Sequence, residues 1–174
     1  TVSGSWWSGA LGDNQVPHST MPDGAPNGYS IMSFDRDGYK LDFKAAGRPA
    51  SEQLRIHLPS NIYTKKTEGV PIWVNVYNGS EESKVEYRID RKEKWIELSK
   101  TIEPDPYFIE LSKRDAGVDP KLPQPKNSYH LWKGTLPANI APGAHLIEVK
   151  TTDRHGRIYI AHRSLRVTGK PIEK

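Results

Sequence analysis

The 174-residue chain is 35% hydrophobic and 26% charged, with 25 Lys plus Arg against 21 Asp plus Glu for a net charge of +4. It holds no Cys, which excludes disulfides and thiolate metal sites, and no apolar run nears the ~20 residues of a membrane-spanning helix. Basic residues are interleaved with acidic ones, as in Glu81-Glu82-Ser83-Lys84 and Arg91-Lys92-Glu93-Lys94, so the one-sign cluster that supplies counterion-release affinity for nucleic acid is missing.

The chain opens on Thr1-Val2-Ser3-Gly4 with no Met start, basic n-region or apolar h-region. It therefore reads as cut from something longer, with any signal peptide removed. Residues 1–28 are loop-like: Gly4, Gly9, Gly12, Gly24 and Gly28 fall among Pro17, Pro22 and Pro26, around Trp6-Trp7. From Tyr29 onward, short runs alternate with period two, the signature of half-buried strands. Asp35-Arg36-Asp37-Gly38 predicts the turn of a hairpin between 30–34 and 39–43. Further strands are predicted around Leu54-Ile56-Leu58, Ile72-Val74-Val76 and Val85-Tyr87-Ile89, with a turn at Asn78-Gly79-Ser80. Asp105-Pro106 supplies an N-cap and a first-turn Pro for a helix of one or two turns, with Phe108 and Leu111 on one face. The Pro-rich stretch 115–127 reads as a surface loop. A last hairpin joins 143–153 to 157–167 through Asp153-Arg154-His155-Gly156. Its second strand has two apolar phases, Ile158/Ile160 and Tyr159/Ala161, which predicts a strand covered on both sides or a bulge.

Seven to nine short strands with turn signals about every ten residues predict a mainly β chain, an antiparallel β-sandwich of immunoglobulin or fibronectin-III type. The expected organisation is a Trp/Gly/Pro-rich segment and hairpin over 1–47, the sandwich over 48–168 and a tail over 169–174.

Residues for catalysis are sparse. The six His, at 18, 57, 130, 145, 155 and 162, show no i, i+4 or H-x-H spacing for a compact metal site. Asp153-Arg154-His155 matches D-x-H and Gly12-Asp13 echoes G-D-x-x-D, but position 16 is Val and no G-N-H-[DE] or G-H-x-H element follows. Asp153–His155 is therefore read as a polar hairpin turn. Gly4-Ser5-Trp6-Trp7-Ser8-Gly9 is not a nucleophile elbow. The Trp rings at 6, 7, 73, 95 and 132 either fill cores and interfaces or stack on ligands.

Four stretches carry a family likeness: Gly4-Ser5-Trp6-Trp7-Ser8-Gly9, then Asp23-Gly24-Ala25-Pro26-Asn27-Gly28-Tyr29, then Gly38-Tyr39-Lys40 with Lys44-Ala45-Ala46-Gly47-Arg48-Pro49-Ala50, and finally Gly143–Val149 with Thr152–Arg157. Together they resemble the C-terminal domain of bacterial calcineurin-like metallophosphoesterases. The resemblance implies a fragment without the catalytic domain: a non-catalytic accessory module of a periplasmic or secreted phosphoesterase. Its partner would be the upstream hydrolase domain of the same polypeptide, which would carry two divalent metals; no cofactor and no catalytic or metal-ligating residue is expected in this chain. Trp6, Trp7, His18, Asp23, Asn27 and Tyr29 are the expected interface or active-site-entrance residues. The alternative is a β-sandwich that binds a glycan or other polymer through exposed Trp and Tyr, with Asn75 fixing orientation; it requires at least two Trp rings exposed on one face.

Overall fold

The computed structural model describes residues 20–36, 38–63, 67–119 and 121–169. They form eleven strands and one helix. Strands β1 (Gly28–Asp35) and β2 (Gly38–Ala45) make the first hairpin, a separate two-stranded sheet. The other strands are β3 (Leu54–His57), β4 (Asn61–Tyr63), β5 (Pro71–Val76), β6 (Lys84–Ile89), β7 (Ile96–Glu97), β8 (Ser99–Pro104), β9 (Asn127–Thr135), β10 (Gly143–Thr152) and β11 (Ile158–Thr168), with helix α1 (Pro106–Arg114) between β8 and β9. Both hairpins read from turn chemistry are present. Gly38 and Gly156 take positive φ, 141° and 75°, beside the two turns.

Strand order is β4-β11-β10-β6-β7 in one sheet and β3-β5-β9-β8 in the other. Their apolar faces meet in one core. Ile72, Val74 and Val76 of β5 and Trp132 of β9 pack with Val85, Tyr87 and Ile89 of β6, Ile147 and Val149 of β10, and Leu165 and Val167 of β11. The sheets are thus the two layers of a sandwich, as the alternating runs predict. Arg163 of β11 also reaches across to β3, donating to the carbonyls of Ile56 at 3.0 Å and Leu58 at 2.8 Å. Tyr87 is fully buried, and its hydroxyl donates to the Thr135 carbonyl at 2.6 Å. Burial pushes that hydroxyl's pKa up to about 12.

Two details depart from the sequence reading. All pairs are antiparallel except β4 with β11, where Asn61–Tyr63 run parallel to Arg166–Thr168. Strand β11 also keeps a plain alternation. Tyr159, Ala161, Leu165 and Val167 pack on the core, while Ile158 and Ile160 are exposed on the opposite face. The second apolar phase therefore reflects an uncovered outer face.

Helix α1 starts as its sequence dictates. Asp105 caps it by accepting the Phe108 N–H at 3.0 Å, and Pro106 takes the first turn. Phe108 and Leu111 face inward and pack with Leu122 and Tyr107 in a second small apolar cluster. The described residues of the Pro-rich stretch after α1 carry neither helix nor strand until Asn127.

Candidate functional site

Residues 20–27 form a strap over the four-stranded sheet. Thr20 bridges Pro26, Met21 N–H donates to the Ala25 carbonyl at 2.7 Å, and Gly24 turns the chain at φ 88°. At the apex Asp23 is 0% exposed. One carboxylate oxygen, Oδ1, accepts the Ala25 N–H at 3.2 Å; the other, Oδ2, accepts from His130 Nε2 at 2.8 Å. Asn75 Nδ2 donates to the Asp23 carbonyl at 2.9 Å and to Asp105 Oδ2 at 2.8 Å. One amide therefore holds both the strap and the cap of α1. Arg55 donates to the Gly24 carbonyl at 2.7 Å and lies 4.0 Å from the Tyr107 ring centroid.

A bulge in β9 makes this cluster possible. Thr101 pairs with Leu131, but Glu103 pairs with Ser128. Strand β9 thus advances three positions where β8 advances two, which breaks the two-residue period between His130 and Leu131. Ser128 and His130 join the strap side, while Trp132 stays in the core. Asp23 and His130 are sealed from solvent, at 0% and 5% exposure. What the pair does chemically is hold the strap in place.

A second feature stands in the open. The β1–β2 hairpin is tied to the rest of the chain mainly through β2, and Arg154 lies 5.9 Å from the Tyr39 ring near its tip. Gln53 donates to the Phe43 carbonyl at 2.7 Å and Asn78 to that of Leu41 at 3.3 Å. Arg157 donates to the Leu41 carbonyl at 2.7 Å, pairs with Asp42 and bonds Asp153 at 2.6 Å. Beyond these anchors Phe34 is 77% and Met32 51% exposed, with Tyr29, Ile31 and Tyr39 also exposed. The register puts Met32, Phe34, Tyr39 and Leu41 on one face and Tyr29 and Ile31 on the other.

Among the six expected residues, Trp6, Trp7 and His18 lie outside the described ones. The rest are not gathered on one surface. Asp23 is buried under the strap, half-buried Asn27 accepts the Ala46 N–H at 2.8 Å, and Tyr29 is exposed on β1. Sequence reasoning did not single out His130 or the bridging role of Asn75. The signal available was the loss of alternation in Ser128-Tyr129-His130-Leu131-Trp132.

The Asp153–His155 segment is a polar turn, as read. Asp153 Oδ1 accepts the N–H groups of His155 and Arg157 at 2.8 and 2.9 Å. Burial alone would raise its pKa, but these bonds and the Arg157 guanidinium outweigh burial and lower it. Trp132 is in the core. Trp73, which donates to Glu103 at 3.0 Å, lies on the outer face of the four-stranded sheet, and Trp95 sits 4.4 Å from both Arg88 and Lys150 of the other sheet. The described Trp rings share no face. Among the described residues no three His, Asp or Glu side chains gather to hold a metal ion.

The model of the family MetallophosC, the C terminal of calcineurin-like phosphoesterase, matches residues 1–159. No curated protein matches the sequence. Among solved structures, CopC from Methylosinus trichosporium OB3b is similar at 9% identity and a TM-score of 0.35, over 83% of this chain and 100% of that one. A likeness that slight bears on neither fold nor function.

Proposed function

The chain belongs to the family of C-terminal domains of calcineurin-like phosphoesterases, and from that premise we propose that it is the non-catalytic accessory module of such an enzyme, packed against the hydrolase domain of the same polypeptide. The family match across residues 1–159 carries this reading. The exposed hairpin supports the packing, because an apolar patch of this kind on a soluble domain marks a contact surface. An unaccompanied two-stranded ribbon is also only marginally stable. The proposed contact residues are Tyr29 and Asn27, joined by Trp6, Trp7, His18 and Asp23.

The family's metals would polarise the phosphoryl group and activate water. In this reading the chain's part is to bind and orient the hydrolase domain. The test compares residues 1–174 with the longer polypeptide that carries them. Phosphoesterase turnover and bound divalent metal are expected in the longer protein alone. Turnover with stoichiometric metal in the 174-residue chain by itself would overturn the reading.

A further inference from the structure

The strap and α1 share one attachment and lie outside the main core. None of the residues 20–27 and none of α1 belongs to the large apolar cluster between the sheets. The layer has its own apolar cluster, Phe108, Leu111, Leu122 and Tyr107, and Pro22, Ala25 and Pro26 of the strap are also buried. Its remaining hold is polar: Asn75 to Asp23 and Asp105, His130 to Asp23, and Arg55 to Gly24. The far side of the strap is tied by the Lys126 N–H, which donates to the Pro22 carbonyl at 2.9 Å.

That polar hold is incomplete. Among the described residues, Asn75 Oδ1, His130 Nδ1, Ser128 Oγ and Ser112 Oγ are buried without a hydrogen-bond partner. Each is a desolvated group that opening would return to water, which lowers the cost of opening. A unit outside the main apolar core, held by a partly satisfied polar attachment, sits at the low-stability end of a fold.

We propose that the strap and α1 form one separable layer, which lifts from the outer face of the four-stranded sheet as a unit while the two-sheet core stays folded. Asn75 is the shared attachment, so the two halves open together. Opening uncovers Arg55, His57, Trp73, Asn75 and His130, an aromatic and basic face that the closed layer covers in part.

Native-state hydrogen exchange across a denaturant series tests this on the 174-residue chain. The strap amide Ala25, the Lys126 amide that ties the strap, and the α1 amides Phe108 and Asp115 are expected to share one opening free energy, below that of core amides such as Leu98 and Asp90. Asn75→Ala is expected to speed exchange of both sets together by roughly tenfold or more, the scale of a lost buried hydrogen bond, and to leave the core amides unchanged. Strap and helix opening separately, or exchanging only through global unfolding, overturns the proposal. The wild-type measurement decides this even if the variant fails to fold.

Discussion

Gly24 shows how tightly the strap is seated. Its φ is 88°, a region that favours glycine, and a Cβ built there would lie 2.2 Å from Asp105 Cγ. That carbon belongs to the carboxylate that caps α1 and accepts from Asn75, so it cannot move away without breaking both bonds. Gly24→Ala is expected to cost about 1–3 kcal/mol, from backbone strain and lost cluster bonds. A lowered urea midpoint checks it, and an unchanged midpoint would mean that the strap is not held in this geometry. The side chain of Asp23, an expected site residue, is bonded to the Ala25 N–H and to His130, yet the His130 partner was not legible. Aspartate beside glycine and proline reads as a turn, as its bond from the Ala25 N–H shows, but its second oxygen is held by an imidazole 107 positions away.

At the scale of elements, the start of β10 is locked to the residue that follows β6. Asp90, at φ 54°, accepts the Leu146 N–H at 2.9 Å and bonds His145 Nδ1 at 2.7 Å. The bond to Asp90 is the main cause that raises the His145 pKa. Burial alone would raise the Asp90 pKa, but the bonds from His145 and Leu146 outweigh burial and lower it. A raised histidine contributes fully below its unfolded pKa, near 6.5, and loses that contribution as pH climbs through the higher folded value. A lowered aspartate contributes above about pH 4 and loses it as pH falls through the lower folded value. The pair is therefore strongest between roughly pH 4 and 6.5. Asp90→Asn should destabilise the chain more at pH 5.5 than at pH 8.5, by no more than about 1 kcal/mol once solvent screens the half-exposed carboxylate, and the larger fall in melting temperature at pH 5.5 checks it. Equal losses at both pH values would count against it.

The same scale shows what local patterning reveals. The two hairpins, the α1 cap and the alternating faces of β5 and β6 were legible, because turn residues and period two act within a few positions. Strand β9 was not, because its bulge breaks the alternation at His130. The parallel pairing of the three-residue β4 with β11 is set by a contact more than 100 positions apart, and no short-range signal announces it. Ile158 and Ile160 misled for a related reason, since apolar residues on an uncovered face look the same in sequence as those on a buried one.

Across the whole molecule, the core is complete without the hairpin's outer half and without the strap. Two layered sheets bury their own apolar faces, so the exposed Met32 and Phe34 are surplus to folding this chain. The account assigns that surplus to the hydrolase domain. Met32 offers a direct probe, because an exposed thioether oxidises readily and a covered one does so slowly. Peroxide footprinting would compare Met32 in the 174-residue chain with Met32 in the longer polypeptide. The account predicts oxidation several-fold slower in the longer protein, with Met21, half-buried in the strap, as the internal reference. Equal Met32 rates in the two proteins would contradict it.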